Sequence, residues 1–527
     1  MEWIPWILLG LLLIEHCIFL PNLFRRAEVP HWHGYVPIFN LYSWLKVIGR
    51  PWYWIFLMII PGINLWMLVI MHVELGIVFG QRSTAEQWQH GALPWIALPR
   101  LSKSNAEHVG PRDWSKTKKS TNREWGESIL WALIVATIVR TFMFEAFMIP
   151  TGSMEGSMLV GDYLYVSKTA YGPKTPQTPV SIPLIHNAIP GGMKPSYTEW
   201  FSLPYFRIPG FGEVQRYDAV VFNFPHGDTI IVDSFLAGHD YYERLRSKAI
   251  EFAKNDVAVY ASDPAPYENM ARRSLEKQYG LRARPLDKSE NYVKRCVGLP
   301  GETISASEGL ISINNKELTP PEGVQFNYKI NFASPEDLKR AQKVLELTNI
   351  DKLASNGGLE CIWALTAEEK AQLEESELVQ SIERIDLSYH RGRMSLFPNA
   401  YHPEFNEWDA DNFGPITIPN RGMTVELNER NLLMYERAIT QYEGHDLTLN
   451  DGEIHIDGKP ASEYTFELDY YWMMGDNRHN SADSRFWGFV PETHIVGKAS
   501  FVWFSKQNKA QHGESKIRWN RMFRSVK

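Results

Sequence analysis

The stretch GDNRHNSADSRFWGFVP at residues 475–491 is the most distinctive part of this 527-residue chain. It brings Asp476, Ser481, Asp483 and Arg485 close together in sequence and then becomes strongly aromatic. The segment is long and unusual enough in composition to be strong evidence by itself. The remaining segments are therefore interpreted together with it.

Three earlier segments accompany it, far apart in the chain. They are IPTGSM at 149–154 with LVGD at 159–162, DAVVF at 218–222, and YVKRCVGLPGE at 292–302. Several common catalytic motifs are missing, because the chain has no HExxH, no GxSxG and no Walker loop. Ser153 is followed three residues later by Gly156, so it also lacks the Ser-x-x-Lys of the β-lactamases.

In this order, the four segments resemble the four catalytic boxes of bacterial type I signal peptidases. The resemblance covers about residues 125–233, 290–315 and 445–505, and residues 24–80 resemble an N-terminal membrane extension of some members. It implies a mainly β catalytic domain of antiparallel strands, anchored in a membrane. The implied activity is that of a serine endopeptidase that removes signal peptides from exported preproteins after Ala-x-Ala-like sites.

By this resemblance Ser153 is the nucleophile, Lys294 is the general base, and the reaction passes through an acyl-enzyme. A lysine accepts a proton only when it is neutral. From a reference pKa near 10.4, holding it neutral at pH 7 costs about 4–5 kcal/mol, which burial against apolar groups can supply. Lys294 lies in a β-type run beside Val293 and Val297. Because side chains alternate along a strand, Arg295 is expected on the opposite face.

The resemblance also implies an oxyanion hole made by the Thr151 hydroxyl and the Ser153 backbone N–H. Such donors are worth about 3–4 kcal/mol each in comparable sites. Ser481 would hydrogen-bond to Lys294 and orient it.

A wider set of residues would support this site. Asp483 and Arg485 would form a buried ion pair, with Asp476 and Arg295 in supporting positions. The expected lining of two small apolar substrate pockets is Phe147, Ile149, Met154, Met158, Val221 and Val293. From sequence context alone, the same residues also fit an ordinary core or a bracing network that takes no part in proton transfer.

The chain departs from the family pattern at two places. Gly156 replaces a common proline, and Tyr217 replaces the glycine that usually precedes Asp218. Neither change removes a reacting group, although both alter the preferred backbone shape. His479 lies inside the last segment, but no triad-like context accompanies it.

Other functions remain to be weighed. A self-cleaving Ser–Lys repressor of the same fold would need a DNA-binding domain and no membrane span. A membrane scaffold that binds signal peptides without cutting them would not need the reacting residues. Residues 1–100 could be a separate transport or partner-binding module, but no obvious polar pathway is visible there.

Three apolar runs predict membrane spans, since about 20 residues cross a bilayer. Residues 3–20 read as an anchor, residues 51–80 as one tilted or Pro61-kinked helix, and residues 129–149 lead straight into the first motif. Within the last run, Arg140 and Glu145 suggest that its final third leaves the lipid.

The basic residues of the connections set the expected orientation. The 81–126 connection is more basic than the 21–51 connection, so it should be cytoplasmic. Its basic residues are Arg82, Arg100, Lys103, Arg112, Lys116, Lys118, Lys119 and Arg123. Three spans then place residues 150–527 on the extracytoplasmic, periplasmic face of the cytoplasmic (inner) membrane.

After residue 150, recurring short β-type runs predict an antiparallel β domain. Apolar residues at three- and four-residue spacing, with charges between them, predict two helical insertions at about 238–282 and 333–385. The Asn450-Asp451-Gly452 and Asp457-Gly458 sequences predict hairpin turns. The expected divisions are an N-terminal membrane domain at 1–100, a basic cytoplasmic linker at 101–126, a transmembrane anchor at 127–149, catalytic β core at 150–237, 290–320 and 431–527, and insertions at 238–289 and 321–430.

Composition narrows the expected partners. A formal net charge of −7 and a pI near 6.2 do not point to nucleic acid. The three cysteines, Cys17, Cys296 and Cys361, show no metal-binding spacing, and no disulfide is expected. The chemistry needs no metal or organic cofactor. The expected partners are signal peptides of exported preproteins, the lipid bilayer and the secretion translocon.

Overall fold

The computed structural model describes residues 4–36, 38–111, 121–182, 185–200, 202–225, 229–233, 236, 240–345, 354–355, 359–387, 395–450, 453–507 and 516–526. The chain divides into two compact units. The first unit contains Met1–Thr141 and Thr175–Tyr205, and the second contains Phe142–Lys174 and Phe206–Lys527. The sequence had suggested catalytic β core throughout 150–237, whereas the structure groups the segment from Thr175 to Tyr205 with the N-terminal helices.

The helices of the described residues are α1 (Ile4–Arg26), α2 (Phe39–Val47), α3 (Ile63–Val78), α4 (Thr84–Ala92), α5 (Pro94–Lys103), α6 (Thr121–Ile138), α7 (Tyr241–Phe252), α8 (Val257–Ser262), α9 (Pro264–Tyr279), α10 (Pro335–Val344), α11 (Ala367–Glu375), α12 (Glu429–Arg437) and α13 (Ser484–Trp487).

The first unit is helical and has its own apolar core. Helices α1, α2, α3 and α5 contribute the buried side chains Leu20, Leu23, Phe24, Trp44, Leu45, Met71, Leu75, Leu98 and Leu101. His16 is buried among them, and its Nε2 lies 2.8 Å from His72 Nε2 in a hydrogen bond. This partner explains how a polar ring is accommodated inside the apolar run of α1.

Among the described residues, one helix, Glu124–Met143, is long and apolar enough to cross a membrane. The single helix expected over 51–80 is not formed. Residues Trp52–Ile59 are a 3-10 helix, and α3 has only 16 residues. The cause lies between them, because Pro61 has no backbone N–H and Gly62 has φ of +79°. Three spans therefore remain a prediction.

The third apolar run also differs from its expected form. Helix α6 begins at Thr121, continues through a π-helical turn at Val139–Met143, and gives way to a strand at Phe144. In that strand Glu145 forms an ion pair with Lys168, Oε2 to Nζ 2.7 Å. The last part of the run is thus a sheet strand with a paired charge.

The strands of the described residues are β1 (Phe144–Met148), β2 (Asp162–Ser167), β3 (Ala219–Asn223), β4 (Thr229–Ile231), β5 (Leu281–Ala283), β6 (Asn291–Gly298), β7 (Thr303–Ser307), β8 (Leu310–Ile313), β9 (Lys316–Glu317), β10 (Gln325–Phe332), β11 (Ala354–Ser355), β12 (Glu360–Thr366), β13 (Val379–Arg384), β14 (Phe413–Thr417), β15 (Thr424–Glu426), β16 (Leu447–Asn450), β17 (Glu453–Ile456), β18 (Lys459–Pro460), β19 (Glu463–Thr465), β20 (Tyr470–Met474), β21 (Val490–Pro491), β22 (Ile495–Ser505) and β23 (Arg524–Ser525).

The main sheet of the second unit confirms the antiparallel β prediction. Its strand order is β1-β2-β22-β3-β6-β20-β21, with β23 paired to β22. Neighbouring strands in this order run antiparallel. This sheet gathers all four of the segments singled out in the sequence, because β1, β3, β6 and β20 each carry or adjoin one of them.

The two insertions differ from each other. The first is helical as predicted, with α7, α8 and α9 sharing a core around Leu245 and Ala271. The second is mixed: β11-β12-β10-β13 form a four-stranded sheet, against which α10 and α11 pack. Residues 379–384, predicted helical, are strand β13, because Ile382 alternates inward toward Ile330 of β10. We call residues 325–384 the inserted αβ subdomain.

The second predicted hairpin turn is present. Asp457 and Gly458, between β17 and β18, have φ of +51° and +73°. In the first turn, Asp451 and Gly452 lie outside the described residues, as do Arg112, Lys116, Lys118 and Lys119 of the basic connection.

Candidate active site

Ser153 lies in a short 3-10 turn, Gly152–Met154, that follows β1 in the chain. The residue is 9% exposed. Its backbone carbonyl accepts a hydrogen bond from the Asn477 N–H at 3.1 Å, and the Asn477 side-chain amide donates to the Gly152 carbonyl at 3.2 Å. The turn that carries Ser153 is therefore tied to the last distinctive segment of the sequence.

Lys294 lies in the middle of β6, next to β3 on one side and β20 on the other. It is 3% exposed, and it is directly opposite Val220 of β3. Its Nζ donates a hydrogen bond to Ser153 Oγ at 2.5 Å. The two residues are 141 positions apart in sequence and in contact in the fold.

Burial lowers the pKa of the Lys294 amine to about 8. The carboxylates of Asp483 and Asp476 raise this pKa in part, and the Arg485 guanidinium lowers it. Loss of hydration dominates because an ammonium ion in a low-dielectric site loses more solvation than nearby charges restore. A large fraction of the amine is thus neutral near pH 8 and can accept a proton.

Arg295, the next residue along β6, has different partners. Its guanidinium donates to both carboxylate oxygens of Asp476, at 2.7 and 2.6 Å, and to the Tyr217 carbonyl at 2.7 Å. Ser157 Oγ donates to the same carboxylate at 2.6 Å. Asp476 is fully buried, so its charge is neutralised by Arg295 and not by the amine at position 294.

Asp483 and Arg485 form a second buried pair. Arg485 donates to the two carboxylate oxygens through Nε and Nη2, each at 2.8 Å. The same carboxylate accepts the Gly475 N–H at 3.0 Å, and Arg485 also donates to the Arg478 carbonyl at 2.6 Å. This network fixes the path of the chain from Gly475 to Arg485, and each bidentate pair adds directional strength.

Ser481 is placed beside the pair, but the expected bond to Lys294 is not formed. The Ser481 hydroxyl donates instead to the Ala482 carbonyl at 3.4 Å, and it has no hydrogen bond with Lys294 among the described residues. It reaches the site because residue 475 has no side chain. A Cβ on Gly475 would lie 2.2 Å from Ser481 Oγ and 2.5 Å from the Ser153 carbonyl oxygen.

The two hydrogen-bond donors expected to form an oxyanion hole are the Thr151 hydroxyl and the Ser153 backbone N–H. Thr151 is exposed and immediately precedes the Ser153 turn. Within the described part of the chain, neither the Thr151 hydroxyl nor the Ser153 backbone N–H donates a hydrogen bond.

The six residues expected to line substrate pockets share one apolar cluster. Ile149, Met154, Met158 and Val221 are buried in it, and Phe147 and Val293 are partly buried against it. The further members are Leu164, Val166, Ala219, Val496, Ala499, Val502 and Val526. The cluster joins the Ser153 turn to the strand of Lys294, since Met154 and Val293 are neighbours of the two residues in sequence.

The two departures from the family pattern have structural consequences. Gly156 has φ of +103°, which a proline cannot adopt, and a Cβ there would lie 2.2 Å from the Gly323 carbonyl oxygen. Tyr217 has φ of +69°, a left-handed conformation that is unusual for a bulky residue. Its backbone is held there by bonds from its N–H to the Cys296 carbonyl and from Arg295 to its own carbonyl.

Two contributing residues were not assigned a role from sequence. Asn477 holds the Ser153 turn, and Ser157 joins Arg295 to Asp476. Asn477 lies within the most distinctive segment, but its partners are more than 300 positions away, so no local pattern identifies them. Among the described residues, His479 forms no hydrogen bond with Ser153 or Lys294, and its side chain pairs with Asp411.

Comparison with known proteins gives matches to two families. Residues 122–355 and 417–504 match the family described as signal peptidase, peptidase S26. Residues 32–111 match a family of unknown function, DUF5684.

Two of the similar proteins match most of the chain, and a third matches a quarter of it. Signal peptidase I of Haemophilus influenzae is 25% identical over 442 residues, which is 82% of this chain and 86% of that protein. Signal peptidase I of Buchnera aphidicola subsp. Schizaphis graminum is 24% identical over 75% of this chain and 79% of its own length. Signal peptidase I of Helicobacter pylori strain J99 is 32% identical over 139 residues, 25% of this chain and 47% of that protein.

Proposed function

This chain belongs to the signal peptidase family, peptidase S26, and is a serine endopeptidase; we propose that it removes signal peptides from exported preproteins with a Ser153–Lys294 dyad. One observation carries this proposal. The buried Lys294 amine lies 2.5 Å from the Ser153 hydroxyl, and burial lowers its pKa to about 8.

The first half of the reaction forms an acyl-enzyme. Rotation of the Ser153 hydroxyl directs its proton at the neutral Lys294 amine, which removes it as Ser153 Oγ attacks the scissile carbonyl carbon. The negative charge on the carbonyl oxygen is stabilised by the Ser153 N–H and the Thr151 hydroxyl. Lys294, now an ammonium, gives its proton to the leaving amine, and the peptide bond breaks.

The second half releases the signal peptide. Lys294 is neutral again and removes a proton from a water molecule, which attacks the ester carbonyl. The tetrahedral intermediate collapses, and the same proton returns to Ser153 Oγ. Asp476 and Asp483 are paired with Arg295 and Arg485, and among the described residues neither carboxylate forms an ion pair with Lys294.

The proposed preference is for small residues at the cleavage site, as in Ala-x-Ala. Met154, Met158 and Val221 are buried in the apolar cluster that includes part of the Ser153 turn. A site of this kind accommodates a methyl group, whereas a larger side chain would have to displace buried neighbours.

The proposed location is the cytoplasmic (inner) membrane, with Ser153 on the periplasmic side. Support for the orientation comes from the sequence, because the 81–126 connection is more basic than the 21–51 connection and is therefore expected on the cytoplasmic side. The proposed partners are signal peptides, lipid and the secretion translocon.

The direct test is cleavage of an Ala-x-Ala preprotein by detergent-purified protein. We expect Ser153→Ala and Lys294→Ala each to abolish processing, with the melting temperature of the second unit retained. Lys316→Ala is the matched control, since Lys316 is an exposed residue of β9, and it should cleave normally. Normal processing by the Ser153→Ala variant would leave only a binding function for the site.

A further inference from the structure

The segment that leads into the inserted αβ subdomain lies against both loops of the active site. The Gly323 carbonyl oxygen is so close to Gly156 that a Cβ there would be 2.2 Å away. Two residues later, the Gln325 N–H donates to the Asp476 carbonyl at 2.8 Å, and Gln325 forms a parallel bridge with Asn477. Residues 323–325 thus contact the loop after Ser153 and the loop that holds Asp476.

His479 extends this connection. Its Nδ1 accepts the Asn327 backbone N–H at 3.2 Å, and its Nε2 lies 2.9 Å from Asp411 Oδ2. Because Nδ1 accepts a hydrogen bond, it carries no proton, and Nε2 is the donor to the carboxylate. The side chain has no exposed surface. Beside it, the Asn480 amide donates to Asn327 Oδ1 at 2.8 Å.

Strand β13, which pairs with β10, contributes a further contact to Asp411. Arg384 of β13 donates to Asp411 Oδ2 at 2.9 Å, and its guanidinium lies 3.7 Å from the centre of the Phe326 ring. The Phe326 ring in turn meets the His479 ring edge to face, with centroids 5.4 Å apart. One carboxylate, Asp411, therefore binds both the loop at 476–480, through His479, and the subdomain, through Arg384.

We propose that the inserted αβ subdomain positions the active site, and that His479 is the positioning residue that joins the subdomain to the loop at 476–480. The inference rests on the proposed Ser153–Lys294 chemistry, since it concerns the alignment of that pair. Asn477 holds the Ser153 turn, and its neighbours are held by β10. A shift of β10 is thereby transmitted to the nucleophile.

The expected consequence follows from the geometry that proton transfer requires. Misplacement of a reacting group by about 1 Å can lower the rate by roughly 100-fold without loss of substrate binding. Removing the His479 ring takes away the bonds that join the Asn327 N–H and Asp411 to the loop at 476–480. The loop is then held against β10 by fewer contacts, chiefly those of Gln325 and Asn480, and its position relative to Ser153 is less tightly fixed. His479 is not a member of the apolar cluster proposed to line the substrate pockets, so we expect substrate binding to change less than the rate of the chemical step.

The test compares His479→Ala with His479→Gln in the full-length protein. For the alanine variant we expect kcat to fall roughly 10–100-fold with KM within about twofold of wild type. The glutamine variant keeps one acceptor and one donor and should recover most of kcat. His455→Ala is the matched control and should behave as wild type, because among the described residues the His455 side chain bonds only to the Glu453 carbonyl of its own hairpin.

A folded His479→Ala protein with wild-type kcat would overturn the inference. If that variant does not fold, Arg384→Ala decides: this side chain is 29% exposed and its loss should lower kcat through Asp411, whereas an unchanged kcat refutes the proposal. The Ser153→Ala variant separates the two ideas. An active Ser153→Ala protein contradicts the proposed chemistry, and an inactive one beside a fully active His479→Ala protein contradicts only the positioning role.

Discussion

At residue scale, the site depends on the different environments of three buried basic side chains, Lys294, Arg295 and Arg485. Arg295 and Arg485 remain charged because each is paired with a buried carboxylate. Lys294 has no such partner, and its only hydrogen bond within the described residues is to the Ser153 hydroxyl. The fold therefore stabilises two cations and disfavours the third, which is what a lysine base requires.

The pH dependence of the reaction follows from this arrangement. Burial lowers the pKa of Lys294 to about 8, and in the proposed mechanism only the neutral amine accepts the Ser153 proton. We expect kcat/KM to rise with pH and to level off above a midpoint near 8. A steady-state pH profile with a peptide substrate measures this, and a midpoint near the reference lysine value of about 10.4 would contradict a desolvated base.

The same burial predicts a cost to stability. In the unfolded chain Lys294 keeps its ordinary pKa, whereas in the folded chain its pKa is about 8. Between these two pH values the unfolded state therefore binds more protons than the folded state. The free energy of unfolding consequently rises with pH across this range. At pH 7 the penalty is at most about 3 kcal/mol. Lys294→Met should therefore raise the free energy of unfolding at pH 7 and abolish cleavage. Urea titration of the variant and the wild type at pH 7 and pH 10 measures the difference in their free energies of unfolding, and this difference should be smaller at pH 10.

At the scale of elements, the turn after Ser153 requires a glycine at position 156. We expect Gly156→Ala to lower the free energy of unfolding by at least about 2 kcal/mol, from positive φ together with the contact with the Gly323 carbonyl. Gly422→Ala is the matched control. Gly422 also has positive φ, +81°, but no atom lies within 4 Å of its added Cβ, so only the strain of about 1 kcal/mol remains. Equal losses in urea titrations of the two variants would show that the Gly323 contact is unimportant.

Local sequence patterns predict several strands of the main sheet correctly. The runs at 163–166, 219–224 and 292–297 were predicted as strands and form β2, β3 and β6. Their apolar residues alternate, or continue where both faces are buried, and local sequence records this directly. The prediction was wrong at 379–384. The charge-rich sequence there favours a helix, but the segment pairs with β10 as strand β13. Strand pairing depends on a partner distant in sequence, so a local window does not detect it.

At the scale of the whole molecule, the proposed orientation can be tested in intact cells. In a variant without the three native cysteines, we expect Phe211→Cys to react with an impermeant maleimide from outside, since Phe211 is 92% exposed in the second unit. Glu86→Cys, in α4, should react only after the membrane is opened. Labelling of Glu86→Cys in intact cells would reverse the proposed orientation, and the Phe211→Cys signal serves as the control for access.

The amino-acid sequence by itself determined the family, the reaction class and the antiparallel β character of the second unit. Four short segments and their order were enough, because the residues that do chemistry can be read without knowing their neighbours. The sequence did not determine that Ser481 lacks a bond to Lys294, that Asp476 pairs with Arg295, or that Asn477 holds the Ser153 turn.

Only the tertiary structure decided these partnerships, and the reason is physical. The hydrogen bonds and the burial that set the pKa of Lys294 join residues that are 141 to 325 positions apart. Desolvation is a property of everything packed around a group, and a sequence motif specifies only the group itself. The same holds for Tyr217 and Gly156, whose unusual φ angles are imposed by the strands and loops that surround them.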